Sequence, residues 1–564
     1  MTALVSRQIR NGASFFWALL LVFVPACTAG TGGAAGRAQT GAPDSLVLLH
    51  TNDIHAHLLP FERANGDVVG GAAARAERIR KERARSRHTI LLDGGDVFQG
   101  TPFFSLFHGV PDYKSMSMMG YASGALGNHD LDNGPAAWIR TAREARFDVR
   151  SANVFADADS GWARGREEVP ASIRRGARWV GGKKVPDTDR LVFLTQHPFE
   201  VERAGPLDRV AFFGLTTPDL DRLVLRSRNG GVAVGDPIAA ARYLVPRLRE
   251  QASMVICLSH MGEDMDRKLA ERVPGIDVIV GGHSHTPLHK PVLIRNATPN
   301  GYGGTVIVQA GYRGEYLGRL VLHLEGDRLT RYAGGLLTVR ASEGEDAKVA
   351  EMLRPYADEV AKATGGVVFH SPARIPNTGL RDGETLLGNF VADVIRDAGD
   401  ADIGLINSGG IRSAIPAGDV TVSDVHTVLP FDNRVVVVKM YGWQVRQLLD
   451  RVARRIGKGG FLQVSGVQFV ITRDRATYIR VGGDPLDSER VYRVATVDYL
   501  AEGGDGYTNF EKAIGIEPTG VLLREAAVRF LRENPRYEFR KESRIRWEGS
   551  TPMFRGGRVG GGMR

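Results

Sequence analysis

Five clusters of Asp, Asn, His and Gly, each set behind an apolar run, constrain this chain more than any other feature of its sequence. They read HTNDIHAH (50–57), LDGGDVFQG (92–100), GNHDLD (127–132), SH (259–260) and GGHSH (281–285). Apolar runs of strand length stand at 46–49, 89–92, 210–215, 254–258, 277–280 and 305–309. Amphipathic helical stretches at 71–85 and 135–145 lie between some of them. Strands alternating with helices predict an α/β domain, and such folds gather their sites on the loops at strand ends.

Taken singly, each cluster is turn chemistry, or a histidine hydrogen-bonded at a surface. Five of them behind strands predict one shared site. Asp, Asn and His supply mixed oxygen and nitrogen donors, which suit Zn, Mn, Fe or Co, whereas an all-oxygen set would favour Mg or Ca. The glycines before Asp96 and His283 let backbone approach an ion closely, and a carboxylate such as Asp96 can bridge two cations. No cysteine falls in any cluster, so a closed thiolate zinc site is not expected.

In this order the clusters resemble the calcineurin-like metallophosphoesterases, and HTNDIHAH, GDVFQG, GNHDLDNG and GGHSH resemble the 5′-nucleotidase branch. The resemblance implies a four-layer α/β/β/α catalytic domain, a helical connector and a C-terminal α/β nucleotide-binding domain. It also implies two divalent metal ions, of which Asp53, His55, Asp96 and His285 hold the first. Asp96 as bridge, Asn128, His260 and His283 hold the second. His129 matches the family's catalytic histidine, with Asp132 as its partner; a carboxylate on one ring nitrogen favours the imidazolium. His57 is either a supporting residue or an exposed one.

The second half carries RDGETLLGN (381–389), NSGGIR (407–412), LPFDN (429–433) and YLAEGGDGY (499–507), which resemble the 5′-nucleotidase C-terminal domain. There Phe431 and Tyr499 match the pair of rings that sandwich the base. Asp505 matches the residue on the ribose hydroxyls, and Asn433 one at the base edge. Arg381 and Arg412 match phosphate-binding arginines, and the glycines after Asn407 let backbone near the sugar-phosphate. The implied reaction is dinuclear metal-dependent hydrolysis of nucleoside 5′-phosphates to nucleoside and phosphate. The same family also cleaves UDP-sugars, other nucleotide anhydrides, and cyclic or 3′-nucleotides. A thiosulfohydrolase relative shares both domains, but the intact Phe431–Tyr499 pair weighs against it. A non-enzymatic surface protein would be expected to have lost ligands, and the principal ones are all present.

At 564 residues the chain exceeds what one core supports, so two domains are expected. Arg7 and Arg10 precede an apolar run at 15–25, too short to span a bilayer but suited to a secretory signal. The sequence VPAC at 24–27 resembles a lipobox, with lipidation at Cys27; cleavage near Ala26 or Ala29 is the other reading. The expected division is a leader at 1–27, a flexible spacer at 28–44 and a catalytic domain at 45–340. A helical connector at 341–366, broken at Pro355, a nucleotide-binding domain at 367–551 and a disordered tail at 552–564 follow. Residues 156–190 read as a surface insertion. Helices are expected at 386–398, 443–455 and 520–532.

Cys27 and Cys257 are the two cysteines, so no structural disulfide is expected despite an exported, periplasmic or cell-surface address. The net charge of +9 is spread without a dense basic block, which excludes a nucleic-acid polymer as the expected partner. The expected partner is a nucleotide, and the membrane is engaged only through a lipid at Cys27. The sequence does not set the oligomeric state.

Overall fold

Alternation with a period of two decides the layering of the N-terminal half. In the computed structural model, which describes residues 45–548 apart from 64–65, 164, 205–206 and 327, strand Ser45–Thr51 sends Leu46 and Leu48 into one apolar cluster and Val47 and Leu49 into another. Strand Met254–His260 does the same with Ile256 and Leu258 against Val255 and Cys257. Leu46, Leu48, Ile256 and Leu258 share a cluster, so two sheets meet face to face through it. The outer faces are covered by helices: Ala72–Ala84 and Val110–Met119 on the first sheet, Pro237–Arg249 and Glu263–Arg272 on the second. The result is four layers, helix, sheet, sheet, helix. The expected leader, spacer and tail fall outside the described residues.

The first sheet runs in the order Arg328–Thr338, Tyr316–Glu325, Ser45–Thr51, Thr89–Asp93, Ser123–Ala125, Asp148–Arg150. The second runs Phe199–Ala204, Leu207–Thr216, Met254–His260, Val278–Val280, Gly304–Val308, Val292–Arg295. Ile256 is fully buried between them, and Ile256→Ala should cost about 2–5 kcal/mol, the usual range for emptying a core site. A fall in the midpoint of denaturant unfolding, with metal and buffer held fixed, checks this.

Three features differ from the sequence expectation. Helix Ala347–Thr364 runs unbroken through Pro355. Glu351 and Pro355 are both exposed, so the carbonyl that loses its donor can be hydrated and the helix survives the proline. Asp346 caps it by accepting from the backbone N–H of Lys348 and Val349, while Val349, Leu353 and Val360 pack into the outer cluster of the first sheet. Residues 156–190 do more than decorate a surface. Strands Val154–Asp157, Arg178–Trp179, Leu191–Phe193 and Val232–Val234 form a four-stranded sheet, and Val169, Ile173, Ala177 and Val185 are buried against the second large sheet's outer layer. Residues 515–522 are a strand, so the last helix begins at Leu523 and runs to Glu533.

The C-terminal half is built on a five-stranded sheet ordered Leu462–Ser465, Ile403–Asn407, Val491–Val497, Arg434–Tyr441, Gly515–Leu522. Helices Leu386–Ala398, Gly442–Ala453 and Leu523–Glu533 share one apolar cluster with it. Among the described residues no helix is long and apolar enough to cross a membrane.

Candidate functional site

Parallel pairing sets the location. Ser45–Thr51 and Thr89–Asp93 run parallel, His50 opposite Leu92 and Thr51 opposite Asp93, so the loops after them leave at the same edge. In the second sheet Leu207–Thr216, Met254–His260 and Val278–Val280 are likewise parallel. Beyond these ends the backbone is strained. Asp53, His55, Asp96, His283 and His285 all hold left-handed φ values, from 50° to 72°; each costs an L-residue about 1–2 kcal/mol. Backbone bonds hold them there: Asp53 donates to the Gly95 carbonyl at 2.8 Å, and His55 to that of Asp96 at 3.1 Å. Gly127 is required by contact, because a Cβ there would lie 2.1 Å from Asp96 Oδ1.

Two donor groups result. Asp53, His55 and His285 form one, and Asp96, His260 and His283 the other, the ligand atoms of each lying within 4.8 Å of one another. In the first, His55 Nδ1–H donates to the Phe98 carbonyl at 3.2 Å, which leaves Nε2 a lone pair aimed at His285 Nε2, 3.0 Å away. Asp53 Oδ1 is 3.3 Å from the same His285 nitrogen. In the second, His260 Nδ1–H donates to the Gly94 carbonyl at 2.7 Å, turning Nε2 toward Asp96 Oδ2 at 3.1 Å. Asn128 Oδ1 is buried without a hydrogen-bond partner, which a polar atom tolerates only where something outside the chain satisfies it. Converging lone pairs and an orphaned amide oxygen fit a pair of cations, and carbonyls holding the far ring nitrogens fix each tautomer as metal sites require.

His129 Nδ1–H donates to Asp132 Oδ2 at 3.0 Å. Burial alone would depress this imidazole; the carboxylates of Asp132 and Asp96 outweigh it and raise its pKa. Arg228 ties this turn to the C-terminal half, donating to the Asp132 carbonyl at 3.2 Å and to the Asp432 carbonyl at 3.3 Å.

A cleft of about 460 Å³ joins these groups to the second half. Asp96, Asn128, His129, Asp132, His283 and His285 line one side, and Arg381, Asn407, Arg412, Phe431, Asn433, Tyr499 and Asp505 the other. Asp53, His55 and His260 lie buried behind the first side. The Phe431 ring is 5.5 Å from the His129 ring, and Arg412 stands 6.0 Å over Phe431. Asn407 Nδ2 donates to Asp505 Oδ2 at 2.8 Å. The Tyr499 hydroxyl accepts from the Asp505 N–H at 3.0 Å and donates to the Arg222 carbonyl at 3.0 Å. Gly504 has no side chain because a Cβ there would stand 2.6 Å from the Tyr499 ring.

His57 is buried, not exposed: its Nδ1–H lies 2.7 Å from the His55 carbonyl. Gln99 and Arg228, which line this cleft, and Arg313, which lines an adjoining cavity, have no role assigned from sequence. Gln99 was within reach, inside GDVFQG; Arg228 and Arg313 stand in loops with no pattern around them.

Residues 46–287 match the family described as calcineurin-like phosphoesterase, and residues 360–512 the one described as 5′-nucleotidase, C-terminal domain. The 5′-nucleotidase of Diplobatis ommata is 30% identical, the match covering 84% of this chain and 84% of that protein. The chain belongs to the 5′-nucleotidase family. The crystal structure of a 5′-nucleotidase precursor from Thermus thermophilus is 32% identical with a TM-score of 0.77, covering 90% of this chain and 100% of that one. The trifunctional nucleotide phosphoesterase YfkN of Bacillus subtilis is 30% identical over 85% of this chain, which spans 33% of that longer protein. Like its family, the chain is a metal-dependent phosphoester hydrolase.

Proposed function

We propose that this 5′-nucleotidase family member hydrolyses nucleoside 5′-monophosphates to nucleoside and phosphate, and that it works outside the cytoplasm. The observation that carries the substrate is the cleft with metal donors on one wall and the Phe431 and Tyr499 rings on the other. Export rests on the leader-like sequence at 1–27; lipidation at Cys27 belongs to the same proposal.

Asp53, His55 and His285 would hold one divalent ion, Asn128, His260 and His283 would hold another, and Asp96 stands among both sets of donors. Zn, Mn, Co or Fe suits such a mixed set. When bound, the ions supply Lewis acidity toward the phosphoryl group and toward a nucleophilic water. The rest falls to side chains. Arg381 and Arg412 have no carboxylate within ion-pair distance among the described residues, so their guanidiniums are free to fork onto phosphate oxygens. Phe431 and Tyr499 stack the base, Asn433 meets its edge, and Asp505, held by Asn407, accepts from the ribose hydroxyls. As the bond from water oxygen to phosphorus forms and the bond to the ester oxygen breaks, His129 Nε2 gives its proton to the departing oxygen. Asp132 keeps that ring oriented and charged.

A phosphate-release panel tests the reading, with AMP, ATP, UDP-glucose, cyclic AMP, 3′-AMP and p-nitrophenyl phosphate, each with Mn, Zn, Co and Mg. AMP should be cleaved best. Phe431→Ala should raise KM for AMP about tenfold, since one stacking ring is worth about 1–3 kcal/mol per base, while p-nitrophenyl phosphate is much less affected. Equal efficiency on the simple ester and on AMP would remove the case for a nucleotide.

A further inference from the structure

Segment 222–229 belongs to the N-terminal half, yet it reaches the loops that carry both rings of the other half. The Arg222 carbonyl accepts from the Tyr499 hydroxyl at 3.0 Å, and the Ser227 N–H donates to Glu502 Oε2 at 3.0 Å. Arg228 Nη2 donates to the carbonyl of Asp432, the neighbour of Phe431, at 3.3 Å. Leu223 and Leu225 line the cleft itself.

The same segment grips the His129 turn. Arg228 Nη1 donates to the Asp132 carbonyl at 3.2 Å, and the buried Asn229 donates through Nδ2 to the Leu131 carbonyl at 3.2 Å. Gly134, at φ 81°, lets the turn close onto this segment, since a Cβ there would lie 2.5 Å from the Arg228 carbonyl oxygen. One guanidinium thus bridges two backbone carbonyls, one beside a base-stacking ring and one on the residue whose carboxylate holds His129. A planar fork reaches both at once, which a single ammonium does less well. Both ends of the bridge are anchored. Asp432 Oδ1 is 2.5 Å from Arg524 Nη1, and the Asn433 carbonyl accepts from the Leu523 N–H at 2.9 Å, which ties the Phe431 loop to the last helix. The small four-stranded sheet braces segment 222–229. From it Arg178 donates to Asp221 Oδ2 at 2.8 Å and to the Pro218 carbonyl at 3.1 Å, and the Val232 N–H donates to the Asn229 carbonyl at 3.1 Å.

We propose that Arg228 is a positioning residue that couples the base pocket to the proton donor. A base stacked on Phe431 and Tyr499 sets the Asp132–His129 pair against the ester oxygen, so the base raises turnover and not affinity alone. The proposal rests on the nucleotide reading above. Binding energy from a remote part of a substrate can be expressed in the transition state in this way, and truncated substrates then lose kcat. The leverage is large, because a misplacement of about 1 Å at the reacting atoms costs about a hundredfold in rate.

Ribose 5-phosphate tests the coupling, because it presents the same primary ester oxygen as AMP and lacks the base. In metal-loaded protein, kcat for AMP should exceed kcat for ribose 5-phosphate about tenfold or more. Arg228→Gln should remove most of that advantage. It should lower kcat about tenfold on AMP and about threefold or less on ribose 5-phosphate, as expected for losing hydrogen bonds from a charged donor. The ratio of the two KM values should hold, and Arg228→Lys should recover part of kcat on AMP. Glu502→Ala frees the same segment from the loop of the other ring and should lower kcat on AMP with the same selectivity. Thermal melting checks that each variant is folded. Equal falls on both substrates would make Arg228 a brace for the fold. A rise in KM for AMP at unchanged kcat would make it a wall of the base pocket, and either result overturns the coupling. So would an unmutated chain that prefers AMP through KM alone, which leaves the nucleotide reading standing. Equal kcat/KM on the two substrates in the unmutated chain would instead sink the nucleotide reading, and the coupling with it.

Discussion

Asp96→Asn should reduce AMP turnover about a thousandfold or more, roughly 4 kcal/mol of barrier, and should lose bound metal in the same preparation. The substitution keeps the side chain's shape and changes its charge. Asp96 Oδ1 accepts from the His129 backbone N–H at 2.9 Å, a bond an asparagine oxygen retains. That leaves the new NH₂ facing His260 Nε2, where Asp96 Oδ2 now stands at 3.1 Å. The amide donates to the lone pair that His260 needs for a cation, so one substitution removes a ligand and occupies another. The donor groups contain two carboxylates, Asp53 and Asp96, and halving that negative charge weakens the site as a whole. The fold should persist, since the lost ion contacts are replaced by a hydrogen bond. Circular dichroism, metal analysis and the rise in melting temperature on adding metal together check this. The unmutated chain should be stabilised by metal through binding linkage, and the variant much less. A variant retaining both its metal and its turnover would remove Asp96 from its proposed role as a metal ligand.

The candidate metal donors were legible in sequence because their chemistry is carried by residue type in short local strings, and because parallel strands deliver their loops to one edge whatever the rest of the chain does. The four-layer arrangement came through the same strings, by resemblance, and the alternation of Leu46 and Leu48 with Val47 and Leu49 gives its physical basis. What stayed hidden had no local signature. Ile173 and Val185 are single apolar residues in a polar stretch, buried only because distant strands supply the rest of the core. Pro355 follows a helix-breaking rule that fails when the affected carbonyl faces solvent. Arg228 and Arg313 are two among 73 Lys and Arg residues, and only tertiary placement sets one across the two halves and the other over a cavity. Strain is equally invisible: the left-handed φ at Asp53, His55 and Gln99 is imposed by neighbouring loops, not by these residues' own preferences.

His129→Gln should slow AMP hydrolysis about 10²–10⁴-fold, the range for losing a positioned general acid, while slowing p-nitrophenyl phosphate far less. The difference follows from the leaving groups. A nucleoside 5′-alkoxide is strongly basic and must take a proton as the bond breaks, whereas nitrophenolate leaves without one. A histidine serving only to bind phosphate would affect both substrates alike. The pH profile gives a second, independent reading. Asp132 accepts from His129 Nδ1–H at 3.0 Å and, with Asp96, lifts the imidazole pKa against the effect of burial. Bound cations would push the opposite way, with Asp132 as the counterweight that favours the imidazolium. Activity on AMP should therefore decline as pH rises through the His129 pKa, and Asp132→Asn should move that decline to lower pH, because the neutral amide no longer favours the imidazolium. The same variant should barely shift the profile on p-nitrophenyl phosphate. An alkaline limb that stays in place in Asp132→Asn would assign it to another group and leave His129 without its proposed role as proton donor.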